Sequence, residues 1–176
     1  MSDNPRIYVA CLASYNAGIL HGDWIELDGS EDLGERIAEI LASSTIEDAE
    51  EWAVHDHEYC SNLGEYPGLD ALGAIEAAYA EAEKHGIDWE AFVQYCEHLG
   101  HDLKANHIID FQSHYAGSAD TLVEWCQHHL DETGVLEALP ENLRYYFNYE
   151  AYARDIEISD VLTIERNHEV LVFWQH

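Results

Sequence analysis

Three groups of side chains in this chain are of types that do chemistry: carboxylates, two histidine–cysteine clusters and a run of tyrosines. The carboxylates dominate. Asp and Glu number 36 against 7 Lys and Arg in 176 residues, giving a formal net charge of -29. From Asp23 to Glu58 there are 13 acidic residues and one basic one, Arg36. From Glu65 to Asp102 there are 9, with only Lys84 opposing, and the other 14 are spread over the remaining segments. Among so many, no pair stands out for acid–base catalysis, and a field this negative repels anionic substrates. The same field argues against binding nucleic acid directly, because phosphates would be repelled.

The second group is His55, His57 and Cys60, with Cys126, His128 and His129. Zinc sites offer paired ligands at short spacing on each arm, and both clusters are lopsided, so no metal is expected. Cys11, Cys60, Cys96 and Cys126 are far apart and read as reduced thiols of a cytoplasmic protein. There is no Walker-type loop and no dinucleotide fingerprint; no cofactor and no enzyme activity are expected. The third group is Leu139–Asp155, with Tyr145, Tyr146, Phe147, Tyr149 and Tyr152. On one helix these rings cover more than one face. They imply either self-association or a large local core with hydroxyls at its edge. Arg144 and Arg154 are expected to pair with carboxylates.

These groups need elements to hold them. The hydrophobic fraction is 47%, too high for the disorder that acidity often signals. No apolar run approaches membrane-spanning length, and the first residues lack the basic start and apolar stretch of a signal peptide. Arg6–Cys11 alternates as a strand. Ser14–Gly18 is a turn candidate, and Gly22–Leu27 a second strand. Leu33, Ile37, Ile40 and Leu41 share a helical face, and Glu51–Asp56 reads as a third strand. After the breakers of Gly64–Gly68, Leu69, Leu72, Ile75, Tyr79 and Ala82 form a helical stripe ended by Gly86. Asp88 caps a helix that carries Phe92, Tyr95, Cys96 and Leu99 inward. Ile108, Ile109 and Phe111 predict a short buried strand. Ser118 is the expected N-cap of a helix through Leu122, Trp125, Cys126 and Leu130, stopped by Gly134. Pro140 starts another helical run, and Val161–Ile164 and Val170–Trp174 close the chain as strands around Asn167-His168. The fold class is α+β: a chain of three small domains, 1–63 (α+β), 64–106 (helical) and 107–176 (α+β, with the tyrosine segment).

The acidic residues thus lie on segments that also have core periodicity, and they coat folded elements as fixed arrays. Duplex DNA carries one negative charge per roughly 1.7 Å of axis, and helical carboxylates three or four residues apart lie about 5–6 Å from one another. Rows of them can approximate a phosphate ladder and occupy a basic DNA-binding groove. The carboxylates expected to face such a partner are Asp23, Glu26, Asp28, Glu31, Asp32, Glu47, Asp48, Glu50, Glu51, Asp56, Glu58, Glu65, Asp70, Glu76, Glu81, Glu83, Glu90 and Glu97. Two readings compete with mimicry of DNA. One is an acidic interaction module that binds another basic DNA-binding protein. The other is halophilic adaptation, which the scarcity of lysine (Lys84 and Lys104 alone) also suits.

Three blocks carry a family likeness. Pro5–Trp24 resembles the N-terminal strand and turn of the ArdA-type antirestriction proteins of mobile genetic elements. Trp52–Glu58 resembles that family's acidic strand end, and Leu139–Asp155 its signature antirestriction segment. The resemblance implies that the three small domains, with short antiparallel sheets and helices, form an elongated chain. It implies a homodimeric DNA mimic that occupies the DNA groove of the methyltransferase core of Type I restriction-modification enzymes. It implies protection of incoming DNA during conjugation. It also assigns dimer formation to Tyr145, Tyr146, Tyr149 and Tyr152.

Overall fold

The computed structural model describes residues 4–175. Met1–Asp3 and His176 lie outside them, and with them the reading of the first residues as no signal peptide. The fold is α+β, and the chain divides into two compact units, Met1–Asp110 and Phe111–His176.

In the first unit, β1 (Arg6–Cys11) is the centre of a three-stranded antiparallel sheet, between β2 (Gly22–Glu26) and β3 (Trp52–Glu58). Ile7, Val9 and Cys11 are fully buried, as the alternation predicts. Ile7 pairs with Ile25 and Val9 with Val54. The register then shifts: Tyr8 pairs with Asp56, so His55 is the extra residue of a bulge. A bulge interrupts the period of two. Ala53 and Val54 are consecutive and both buried, while His55, Asp56 and His57 are all exposed. The simple alternation expected of Glu51–Asp56 does not carry across it.

The expected turn after β1 begins as a short helix, α1 (Leu12–Asn16), and closes at Gly18, where φ is +76°. Helix α2 (Leu33–Ala42) starts at Asp32, whose side chain accepts from the Glu35 N–H at 2.9 Å. It buries Leu33, Ile37 and Ile40. Helix α3 (Leu69–His85) buries Leu72, Ile75, Ala78, Tyr79 and Ala82, and ends at Gly86 in the left-handed conformation. Leu69 departs from the expected stripe and is exposed. In α4 (Trp89–Leu99), Asp88 caps the first turn and Phe92, Tyr95 and Cys96 are buried, but Leu99 is exposed. Sheet and helices are tied by specific bonds. The Tyr79 hydroxyl donates to Asn4 Oδ1 at 2.6 Å, and Trp89 Nε1 to the Tyr59 carbonyl at 2.8 Å.

The strand expected at Ile108–Phe111 is instead helix α5 (Ala105–His114). Ile108 and Phe111, three apart, are buried while Ile109 is 68% exposed; a helical stripe explains that pattern and a buried strand does not. The boundary between the two units falls within this helix, after Asp110.

In the second unit, β4 (Tyr115–Ala119) follows directly, so Ser118 belongs to a strand and not to a cap. The N-cap of α6 (Leu122–Thr133) is Thr121, whose hydroxyl accepts from the Glu124 N–H at 3.1 Å. Gly134 stops the helix as expected. A 3-10 turn over Val135–Ala138 leads to α7 (Glu141–Arg144), and α8 (Tyr149–Ser159) begins after a break, so the aromatic run is not one helix. Strands β5 (Val161–Arg166) and β6 (Glu169–Trp174) form a hairpin around Asn167-His168, with Asn167 left-handed. The sheet order is β4-β6-β5. Helices α6 and α8 close one core against it with Trp125, Cys126, Ala153, Ile156, Val161 and Val172. Among the described residues no helix is long and apolar enough to cross a membrane.

Candidate carboxylate surface

Each of the eighteen carboxylates singled out in the sequence belongs to the first unit, and none is buried. Asp28, Glu58, Glu76, Glu81 and Glu90 are half-buried and the others exposed. The elements fix their positions. Strand β2 carries Asp23 and Glu26, and the loop into α2 carries Asp28, Glu31 and Asp32. Glu47, Asp48, Glu50 and Glu51 precede β3, which carries Asp56 and Glu58, with Glu65 beyond it. Helix α3 carries Asp70, Glu76, Glu81 and Glu83, and α4 carries Glu90 and Glu97 on one face, two turns or roughly 10 Å apart.

The few cations of this unit are shared among these acids. The Arg36 guanidinium lies 2.5 Å from Asp23, 3.3 Å from Glu39 and 3.6 Å from Glu31. One positive charge against three carboxylates leaves that patch net negative. Arg6 Nε and Nη2 donate to Glu58 at 2.8 and 2.5 Å, with the guanidinium stacked 4.9 Å over Trp24. Lys84 and His85 both reach Glu81. Sequence reasoning missed Glu35 and Glu39, which join Glu31, Asp32 and Arg36 around one shallow depression. The signal was available: they are one turn apart on α2 and follow Glu31 and Asp32.

A second acidic group forms where α3 meets the loop after β2. Burial raises the Glu76 carboxyl above its usual range, a hydrogen bond from the Gly29 backbone works against this, and the charges of Asp28 and Asp32 add to the rise. Glu76 Oε1 is enclosed without a hydrogen-bond partner. Asp28 is shifted the other way, held charged by hydrogen bonds from Ser30. Tyr79 is raised by burial and then by Glu83, with Asp28 and Glu26 contributing. Asp28 and Asp32 thus lie within electrostatic range of Glu76, and Glu83, Asp28 and Glu26 within that of Tyr79. Glu65 and Glu51 likewise act together on Tyr66.

In the second unit the four tyrosines do not share a face. Tyr145 and Tyr146 are 90% and 79% exposed and stack edge-on at 5.7 Å. Tyr149 and Tyr152 are half-buried and pack on Phe147. Arg144, expected to meet a carboxylate, donates instead to the backbone carbonyls of Leu139 and Glu137 at 3.0 and 2.8 Å, which pins the start of this segment. Of the histidine–cysteine clusters, Cys60, Cys126 and His129 are built into packing, while His55, His57 and His128 are exposed. Burial pushes the Cys60 and Cys126 thiols up to about 12 and about 11, and His129 stacks on Trp125 at 4.8 Å. Among the described residues no three His, Cys, Asp or Glu side chains form a group that could hold a metal ion.

The family model of the antirestriction protein (ArdA) matches residues 7–170, through both units. The chain belongs to the ArdA antirestriction family. No curated protein matches it. ArdA membership carries antirestriction function and points to restriction enzymes as what the chain acts on. The matched span includes the whole carboxylate surface and the exposed tyrosine pair.

Proposed function

We propose that the chain is a DNA mimic. Its carboxylates occupy the DNA-binding groove of Type I restriction-modification enzymes and exclude DNA by competition. The observation that carries this reading is the arrangement of the first unit. Carboxylates from β2, α2, β3, α3 and α4 project from a folded scaffold, and its cations are each shared with acids and do not form a basic patch. Such an array attracts a basic groove as phosphates do and releases the same counterions. Because it copies backbone charge and not base edges, it competes with DNA of any target sequence. In this reading two copies join through the second unit, with Tyr145 and Tyr146 as the contact, and the dimer protects DNA entering a cell during conjugation.

The test is displacement of fluorescently labelled DNA from a purified Type I methyltransferase core. Mimicry requires that the chain release cognate and unrelated duplexes alike, with one inhibition constant once the affinity of each duplex for the core is accounted for. DNA left in place at saturating chain, or release of one sequence only, would refute it.

A further inference from the structure

The first unit contains a cavity of about 330 Å³ walled by the residues after β3, the first turns of α3 and the segment ahead of α5. Its volume sits at the lower end of the roughly 300–1,000 Å³ that ligand pockets occupy, which suits one long side chain. Ala71, Ala74, Ile75 and Leu103 give it apolar walls, and Asp70 and Asp102 add two carboxylates. Ser61 also lines it, is only 8% exposed, and has an enclosed Oγ with no hydrogen-bond partner. Lys104, one of the two lysines in the chain, places Nζ 2.9 Å from Asp102 Oδ2. That contact holds the Asp102 carboxyl below its usual range, with His107 and His101 adding to the effect. The wall of this cavity thus already carries one cation–carboxylate pair.

We propose that this cavity is a guanidinium pocket that receives one arginine side chain from the protein the chain binds. Apolar walls with carboxylates fit a planar, weakly hydrated guanidinium and its methylene stem better than a compact, strongly hydrated ammonium. Carboxylates accept from a guanidinium in charge-assisted pairs. Lys104 competes internally for Asp102. The pocket gives a distributed carboxylate surface one point of stereospecific recognition. Its assignment to an arginine of a DNA-binding enzyme rests on the proposed function, but its preference for guanidinium does not.

The experiment is an amide-resolved NMR titration of the full chain with N-acetyl-arginine methylamide, and with its lysine and citrulline counterparts. The arginine compound is expected to give saturable shifts confined to residues 61–63, 70–75 and 102–104. The lysine compound should bind more weakly and citrulline not at all. Asp70→Asn and Asp102→Asn should each weaken arginine binding about three- to tenfold, the scale of one ordinary net hydrogen bond, and Lys104→Met should strengthen it. Shifts spread evenly over the acidic surface, or unchanged affinity in the Asp70→Asn/Asp102→Asn variant, would overturn the pocket. DNA displacement from the methyltransferase core, run in parallel, separates the two proposals. Localised arginine binding without displacement keeps the pocket's chemistry and removes its partner. Displacement without localised binding removes the pocket and keeps mimicry.

Discussion

Glu76 on α3 feels the charge of Asp28 in the loop after β2, and the two carboxyls are shifted in opposite directions: Asp28 stays charged through Ser30, while Glu76 is raised by burial and by its like-charged neighbours. Ionising Glu76 in the folded state therefore works against the fold. The acid's folded value lies above its unfolded value of about 4.5, so the native state binds the proton more tightly. Linkage then requires stability to fall as pH rises from the unfolded value through the folded one. Glu76→Gln should be more stable than the parent at pH 7, and the difference should vanish at pH 4. Urea denaturation at both values checks this; a variant less stable at pH 7 would contradict it.

Arg36 gathers Asp23, Glu31 and Glu39. Such exposed pairs contribute little to stability, so Arg36→Gln should shift Tm only slightly. It removes a positive charge from the acidic surface, so association with a basic partner should speed up at low salt. Stopped-flow association rates provide the check, and a slower variant would count against steering by the summed field.

Gly117 has φ +115°, and a Cβ there would come 3.5 Å from Trp125 Nε1. Gly117→Ala should destabilise the second unit by more than about 1 kcal/mol, because the backbone conformation excludes a side chain. A denaturation midpoint equal to the parent's would show that β4 can relax.

Tyr145 and Tyr146 make an exposed edge-on pair, whereas Tyr149 and Tyr152 pack on Phe147. Tyr145→Ala with Tyr146→Ala should shift sedimentation toward monomer without lowering Tm. The same change at Tyr149 and Tyr152 should lower Tm. A double variant at 145 and 146 that sediments like the parent would remove this pair from the interface.

Much of the fold was legible because burial writes a period into the sequence. Ile7, Val9 and Cys11 mark β1 by alternation, and Leu72, Ile75, Tyr79 and Ala82 mark α3 by helical spacing. Three features were not legible. Ile108, Ile109 and Phe111 form an apolar run too short to separate strand from helix by period alone. Strand β4, Tyr-Ala-Gly-Ser-Ala, has almost no hydrophobic alternation, and its place is set by pairing with β6. The β3 bulge at His55 depends on the register against β1. Of the candidate site, residue types and exposure could be read in advance; the sharing of Arg36 among three acids and the enclosure of Glu76 depend on contacts between distant segments.

The salt dependence of binding to a Type I methyltransferase core tests mimicry most directly. If the carboxylates stand in for phosphates, log affinity should fall linearly with log salt, with a slope equivalent to several neutralised charges at about 0.9 per contact, as it does for duplex DNA. Single Asp→Asn changes in the first unit, away from Asp70 and Asp102, should each move it only slightly. An affinity that stays constant as salt rises would contradict the account.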